Sequence, residues 1–304
     1  MLPLIYHPIY SQLPLPEGHR YPINKYRYLH RAVQKRCNAD PHWDAQVAFF
    51  QPQVLELEVV KQTHSSDYVD ALVSGDIAAA KMRRIGFPWS EQLITRTLTS
   101  AAGTVLAMEK ALETGRAIHL SGGYHHAHAD FGSGFCLFND LVIAAQQALE
   151  RDEIGTVLIV DSDVHHGDGT ATLCGNNPDI ISLSFHCEKN FPARKPASDL
   201  DVPLAIGTQD DEFLNSFEQV VRMAINLHQP DMIIYDAGVD IHQSDELGYL
   251  SISAQGILHR DKLLFEIASQ AGLPVATVVG GGYRTNHDDL TGLHLGLIEA
   301  ALAP

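Results

Sequence analysis

Residues 156–170 read Thr-Val-Leu-Ile-Val-Asp-Ser-Asp-Val-His-His-Gly-Asp-Gly-Thr. The apolar run at 157–160 predicts a strand that is buried on both faces, as in a parallel sheet. Ionisable side chains follow at once, at the strand end where open α/β sheets bind their ligands. Side chains alternate in an extended segment, so Asp161, Asp163 and His165 should point the same way. We interpret this cluster as a cation site rather than a solvated turn, because burying so many ionisable groups without a shared charge would be costly.

The rest of the chain predicts a fold of alternating strands and helices. This alternation is typical of a mainly parallel sheet with helices on both faces, a three-layer αβα sandwich of the α/β class. No linker or low-complexity segment interrupts it, so residues 1–304 are interpreted as one domain. We also expect a strand at 54–57, a loop at 75–89 and an irregular loop up to about residue 209. The principal strands are predicted at 117–120, 157–160, 180–185, 232–235 and 275–279, and the principal helices at 90–113, 137–151, 210–228, 253–271 and 287–302.

The composition excludes several classes of partner. The formal net charge of −16 argues against nucleic acid and anionic membranes, and favours cationic substrates such as lysine-containing tails or polyamines. Four cysteines without CxxC spacing indicate reduced thiols and a cytoplasmic protein. No signal-peptide pattern or membrane-spanning segment is recognisable, and the sequence indicates no particular oligomeric state.

Four of the predicted strands end in loops of unusual composition. These loops begin at Ser121, Asp161, Asp236 and Gly280, and they are rich in glycine, histidine and aspartate. In a parallel sheet such loops lie along the same edge, so their side chains can converge on one site.

A metal site is predicted from two of these loops. Asp163, His165 and Asp240 would supply two oxygen donors and one nitrogen donor. A protein ligand set of only three residues is typical of a catalytic zinc rather than a structural one. Iron or cobalt would also accept these ligands.

The adjacent histidines His125 and His126 are candidates for proton transfer, since the pKa of histidine lies near neutrality. Asp161 and Asp168 remain after the metal ligands are assigned. Each could bind the far nitrogen of one of these histidines, fixing its tautomer and raising its basicity.

Aromatic residues near these loops have two possible roles. Tyr283 follows three glycines and could donate its hydroxyl to an oxyanion, or it could simply pack in a glycine-rich turn. Phe135 and Phe191 could line a channel or belong to the core. Cys136 is interpreted as a buried small side chain, because no base is dedicated to it.

Taken together, the motifs resemble those of the histone deacetylase superfamily, which has the arginase/deacetylase fold. The resemblance covers nearly the whole chain and is closest to small bacterial and class IV members. It is based on GGYHHAHADFGSGFCLFND at 122–140, VDSDVHHGDGT at 160–170, DAGVDIHQSDELG at 236–248 and GGGY at 280–283.

The resemblance implies a zinc-dependent amidohydrolase that removes an acyl group from an amine nitrogen. A structural potassium ion is also implied, and iron(II) could replace the zinc. By position, the implied zinc ligands are Asp163, His165 and Asp240, and the implied potassium ligands are Asp161, Asp163, His165, Ser184 and Phe185. The implied catalytic residues are His125, His126, Asp161, Asp168 and Tyr283, with His126 as general base and acid and Tyr283 stabilising the oxyanion. The implied substrate-binding residues are Gly134, Phe135, Phe191 and Leu247.

The expected substrate is an acylated lysine in a protein or peptide. A small acylated amine such as acetylpolyamine is the second candidate, and the acyl-chain length is open. An arginase-like ureohydrolase fits the His125, His126 and Tyr283 pattern less well, and a non-catalytic binding module would need a lost catalytic residue. The rim carboxylate that binds the substrate backbone in some relatives has no clear equivalent.

Overall fold

The computed structural model of the protein describes residues 1–303. The eight strands in this range form a single sheet, and each neighbouring pair is parallel. The strands are β1 (Leu2–Ile5), β2 (Val47–Phe50), β3 (Arg116–His119), β4 (Val157–Asp161), β5 (Ile180–Cys187), β6 (Leu200–Leu204), β7 (Met232–Asp236) and β8 (Val275–Val278). Their order across the sheet is β2-β1-β3-β8-β7-β4-β5-β6.

Helices connect most of these strands, as parallel pairing requires. A short 3-10 helix at Pro8–Ser11 precedes the first of them. The α-helices within residues 1–303 are α1 (Lys25–Ala39), α2 (Pro41–Gln46), α3 (Leu57–Thr63), α4 (Ser66–Ser74), α5 (Ala79–Ile85), α6 (Glu91–Thr114), α7 (Asp140–Leu149), α8 (Asp168–Cys174), α9 (Asp210–His228), α10 (Ala254–Ala271) and α11 (His287–Leu302).

Strand β4 is buried from both sides, which defines the layers. Val157 and Ile159 belong to an apolar cluster that includes residues of α6 and α7. Leu158 and Val160 belong to the opposite cluster, which includes residues of α9, α10 and α11. Alternate side chains of one strand therefore enter two cores, and the predicted three-layer α/β architecture is confirmed.

Helix α6 begins and ends where the sequence indicated. The Ser90 side chain accepts a hydrogen bond from the backbone N–H of Leu93 at 3.1 Å, which satisfies a free donor of the first turn. Gly115 ends the helix in the left-handed conformation, with φ at 86°.

Three local predictions are wrong. The predicted strand at 54–57 does not form, since residues 51–56 are irregular and Leu57 begins helix α3, and a strand lies instead at Val47–Phe50 on one edge of the sheet. The predicted loop at 75–89 contains helix α5, which Gly86 ends with φ at 91°. The irregular loop before residue 209 contains β6 on the opposite edge, where Pro203 is tolerated. Edge strands are buried on fewer sides than central ones, so their sequence pattern is weaker.

Strands β3, β8, β7 and β4 are neighbours in the middle of the sheet. Because they are parallel, the four unusual loops all leave the same edge. Within residues 1–303, none of the helices has both the length and the apolar character needed to cross a membrane.

Candidate active site

Asp163, His165 and Asp240 form a compact buried cluster at this edge. Their ligand atoms all lie within 4.8 Å of one another. Nδ1 of His165 lies 2.9 Å from Oδ1 of Asp163 and 3.1 Å from Oδ2 of Asp240. The strand itself ends at Asp161, so the alternation expected for 161–165 does not continue, and Asp161 turns to His125 instead.

The electrostatics of this cluster suit a cation. Burial and the charge of Asp163 raise the pKa of Asp240 to about 7. Burial opposes protonation of His165, but hydrogen bonds with Asp163 and Asp240 outweigh it and raise the pKa of His165 to about 10. Two converging buried carboxylates thus repel each other and attract positive charge. The donors fit a divalent ion, since zinc accepts this mixture of oxygen and nitrogen ligands and iron(II) does too.

The adjacent histidines each face a carboxylate. Nδ1 of His125 lies 2.7 Å from Oδ2 of Asp161, and Nδ1 of His126 lies 2.6 Å from Oδ1 of Asp168. The two Nε2 atoms are 3.2 Å apart. His128 also contacts Asp168, with Nε2 3.1 Å from Oδ2. The histidines are therefore oriented by carboxylates, as in other sites where an imidazole must keep one tautomer.

The two histidines have opposite pKa shifts. Burial disfavours the charged form of His125, but the charges of Asp161 and Asp163 outweigh it and raise the pKa well above the ordinary value. Burial and the neighbouring charge of His125 lower the pKa of His126 to about 3. His126 is consequently the neutral partner, and its Nδ1 proton faces Asp168.

Asp236 belongs to the same region but received no role from the sequence. It forms a buried group with His125 and Asp161 whose ligand atoms lie within 4.8 Å of one another. Neither of its carboxylate oxygens has a hydrogen-bond partner within residues 1–303. Burial, followed by the charge of Asp161, raises the pKa of Asp236 well above its usual range.

Tyr283 faces the cluster from the fourth loop. Its ring centroid lies 6.1 Å from that of His165, and its backbone N–H donates to Oδ2 of Asp245 at 2.8 Å. Burial and the nearby carboxylates raise the pKa of Tyr283 well above 10.0, so the phenol stays protonated and able to donate. Lys25 supports this loop, because its Nζ donates to the carbonyl oxygen of Gly280 at 2.7 Å.

A cavity of about 420 Å³ leads to these groups. His126, His165 and Tyr283 line it together with four residues that the sequence indicated as substrate-binding. Phe191 is 45% exposed and packs edge-on against His126 with centroids 4.8 Å apart. The four residues are Gly134, Phe135, Phe191 and Leu247.

Three of the residues indicated as potassium ligands lie on neighbouring strands, and Asp163 and His165 follow in the loop after β4. Asp161 on β4 is the register partner of Ser184 on β5, and Phe185 follows in the same strand. Ser184 and Phe185 are both buried. Potassium binding at this position stays a prediction.

Several residues near the site were given no role by the sequence analysis. Lys25 lies 255 positions from Gly280, and no local pattern links them. His128 stood within the quoted HHAH motif, so its spacing was a usable signal. His166, His186 and Asp201 form another group with ligand atoms within 4.8 Å of one another, beside the site but outside the cavity lining.

Comparison with known proteins identifies the family. The family model for the histone deacetylase domain matches residues 19–293, and the chain therefore belongs to the histone deacetylase family of hydrolases. An uncharacterized protein of Picosynechococcus sp. is 42% identical, and the match covers 98% of each chain. Histone deacetylase 2 of Arabidopsis thaliana is 32% identical over 72% of this chain and 59% of its own length. Acetoin utilization protein AcuC of Bacillus subtilis is 28% identical over 92% and 76%.

Two solved structures share the fold. The HDA15 HD domain has a TM-score of 0.82 at 19% identity, covering 99% of this chain and 91% of that chain. An acetylpolyamine aminohydrolase from Burkholderia pseudomallei has a TM-score of 0.82 at 18% identity, covering 99% and 98%. The arginase/deacetylase-type fold expected from the motifs is thereby confirmed.

Proposed function

We propose that this protein is a metal-dependent amidohydrolase that removes an acetyl or longer acyl group from a lysine-type amine. The observation that carries this proposal is the convergence, in one cavity, of a carboxylate–imidazole cluster, a neutral histidine and a protonated phenol. Membership of the histone deacetylase family supports the same reaction class. The residues are Asp163, His165 and Asp240 for the cluster, His126 for the neutral histidine and Tyr283 for the phenol.

Asp163, His165 and Asp240 are the proposed ligands of the cation, with zinc as the first candidate and iron(II) as the second. When bound, such a cation polarises the carbonyl of an amide and acidifies water. A potassium ion near Asp161 and Ser184 is proposed as a structural component.

His126 is the proposed proton carrier. Its lowered pKa keeps the imidazole neutral, so Nε2, which lies 3.2 Å from Nε2 of His125, can accept a proton from the attacking water while Nδ1 stays bound to Asp168. As the water oxygen bonds to the carbonyl carbon, the proton moves to His126. When the carbon–nitrogen bond breaks, the same proton passes to the departing amine. His125 and Asp161 hold the second imidazole beside it.

Tyr283 is the proposed oxyanion donor. Its raised pKa keeps the hydroxyl protonated at neutral pH. A preorganised donor of this kind stabilises the charge that develops on the carbonyl oxygen during attack. Asp245 and Lys25 support the loop that carries it, through the Tyr283 N–H and the Gly280 carbonyl.

The preferred substrate is an acylated lysine in a protein or peptide. The aromatic walls of Phe135 and Phe191 suit the methylene stem of a lysine, with Leu247 and Gly134 beside them. A small acylated amine is the alternative, and it is supported by the fold shared with the acetylpolyamine aminohydrolase. We further propose a single catalytic domain and a cytoplasmic location, consistent with the single sheet and the absence of disulfides between the four free cysteines.

A substrate panel tests this function. Protein loaded with zinc, and separately with iron(II), is assayed with an acetyl-lysine peptide, a long-chain acyl-lysine peptide and an acetylpolyamine. We expect hydrolysis of at least one acyl-lysine peptide, with the free amine as product. An Asp240→Asn variant serves as the inactive control. Metal-loaded protein that hydrolyses none of the three, nor free Nε-acetyl-lysine, would refute the proposal.

A further inference from the structure

The mouth of the active-site cavity carries positive charge. Arg20, Arg84 and Lys189 line this cavity, and its lining contains no aspartate or glutamate. All three side chains belong to exposed residues. The chain as a whole has a formal net charge of −16, so the local charge at the mouth is opposite to that of the molecule. A cationic ligand would therefore be repelled at the point where it must enter.

The two arginines are available for a ligand. Neither Arg20 nor Arg84 forms a salt bridge within residues 1–303. The guanidinium of Arg84 lies 4.0 Å from the ring centroid of Phe131, a contact that fixes its position but leaves its charge. Lys189 differs, because its Nζ lies 3.4 Å from Oε1 of the exposed Glu188.

The carboxylate of Glu246 also lies near the mouth of the cavity. It feels the charge of Arg20, but it is held by Thr285, whose N–H and hydroxyl both donate to Oε1 at 2.8 Å. Glu246 does not line the cavity, whose lining contains three basic side chains and no acidic one.

The length of a lysine side chain connects the mouth of the cavity with the catalytic groups. One cavity is lined both by His126, His165 and Tyr283 and by the exposed arginines. A lysine whose acylated nitrogen reaches the catalytic groups extends its four-carbon stem along the walls, and its α-carbon then lies at the mouth. An α-carboxylate on that carbon would face the guanidinium groups, which bind carboxylates with matched planar geometry.

We propose that the substrate is an Nε-acyl-lysine unit with a free α-carboxylate, which Arg20 and Arg84 bind at the mouth of the cavity. Such a unit occurs as the free amino acid or as the last residue of a peptide. This inference rests on the proposed amidohydrolase function and narrows its substrate class. It also separates the two substrates considered above, because an acetylpolyamine carries further positive charge into a positive entrance.

The test compares matched acids and amides. The kcat/KM of the metal-loaded protein is measured for Nε-acetyl-lysine and its α-carboxamide, and for a peptide ending in acetyl-lysine as the acid and as the amide. We expect the acid to be preferred by about tenfold in at least one pair, as two exposed ion pairs would give. The pair that shows the larger ratio tells whether the free amino acid or the peptide terminus is the source. N-acetylputrescine should be the poorest substrate.

Charge-removing variants test the role of the arginines. The acid-to-amide ratio should fall toward unity in the double variant R20Q/R84Q and should decrease with added salt. Arg83→Gln is the matched control, because Arg83 lies on helix α5 next to Arg84 but lines a different cavity. Because each ratio is taken within one protein, partial misfolding of a variant cancels.

The outcomes are distinguishable. Equal kcat/KM for acid and amide in both pairs would overturn this inference while leaving the amidohydrolase function standing. A preference that survives in R20Q/R84Q would overturn the assignment to these arginines. If neither acids nor amides are hydrolysed, the proposed function fails first, and the inference fails with it.

Discussion

The backbone N–H of Gly281 donates a hydrogen bond of 3.1 Å to Oδ2 of Asp163. The N–H of Val164 makes a similar bond of 2.9 Å to Oδ1 of Asp240. Each carboxylate of the proposed metal site is therefore oriented by backbone from another loop, and the loop after β4 contributes both ligands and a support. An added Cβ at Gly281 would overlap the carboxylate oxygens of both aspartates.

Gly281→Ala should therefore impair metal binding. The new methyl group must displace Asp163, Asp240 or the loop itself, and loss of support around metal ligands weakens affinity by roughly 10- to 100-fold. Calorimetric titration of the apo-protein with zinc measures this change. Gly292→Ala is the control, because a Cβ there has no neighbour within 4 Å and the residue lies within helix α11. Wild-type zinc affinity in the Gly281 variant would contradict the proposed ligand set.

Removal of the metal should abolish turnover. We expect a chelator followed by dialysis to give folded but inactive protein. Without the cation held by Asp163 and Asp240, the carbonyl of the substrate is no longer polarised. Addition of zinc or iron(II) should restore hydrolysis, measured with an acetyl-lysine peptide, and metal content should be followed in parallel. Full activity of metal-free protein would end the metal hypothesis.

The central fold could be predicted because its strands are buried on both sides. The runs before Asp161 and Asp236 are continuous apolar segments, the run before Gly280 is interrupted only by Thr277, and a polar or glycine-rich loop marks each strand end. Once parallel pairing is assumed, convergence of those loops follows from topology. The three consecutive glycines are explained by the structure, since Gly280 and Gly282 have φ of 59° and 140° and Gly281 approaches two carboxylates.

Contacts between distant segments could not be predicted in the same way. Lys25 reaches Gly280 across the fold, and only tertiary structure brings them together. Arg84 was assigned to a loop, yet it lies on a helix whose orientation brings it to the cavity mouth. Asp236 was recognisable in the sequence as the start of a loop, but its burial beside Asp161 could not be seen there.

Asp168→Asn should lower kcat by roughly a hundredfold. Burial favours a neutral Asp168, but hydrogen bonds with His126 and His128 outweigh it and hold the pKa of this carboxyl well below its usual range. An asparagine amide could donate to Nδ1 of His126 and favour the tautomer that cannot accept a proton at Nε2. Steady-state kinetics across a pH series measures the effect. Asp152→Asn, which changes an exposed carboxylate, is the control, and an unchanged pH profile in the Asp168 variant would exclude the orienting role.

Tyr283→Phe should lower kcat by roughly two to three orders of magnitude, comparable to losing one donor to an oxyanion. KM should change little, because the ring and its contact with Phe135, at a centroid distance of 6.1 Å, are retained. Tyr28→Phe removes a tyrosine hydroxyl from helix α1, and this variant serves as the control. Near-normal turnover by the Tyr283 variant would refute its role as an oxyanion donor.

His64 connects the segment before α4 with the loop that carries the paired histidines. Its Nδ1 lies 2.8 Å from the carbonyl oxygen of His128, and its Nε2 accepts from the N–H of Asn139 at 2.9 Å. The ring must be neutral to make both bonds, and burial lowers the pKa of His64 to about 4. In the unfolded chain a histidine titrates near 6.5, so the unfolded state binds the proton first as the pH falls.

The contribution of His64 to stability should therefore be complete above about pH 6.5 and decrease on acidification toward pH 4, by up to about 1.4 kcal/mol per pH unit. His64→Gln should destabilise the protein at pH 7.5, and the difference in unfolding free energy from wild type should shrink at pH 5.5 and again at pH 4.5. Urea denaturation at these pH values measures it. His259→Gln, which removes an exposed imidazole from helix α10, is the matched control. A difference that is constant with pH would mean that His64 is not held in its neutral form by the fold.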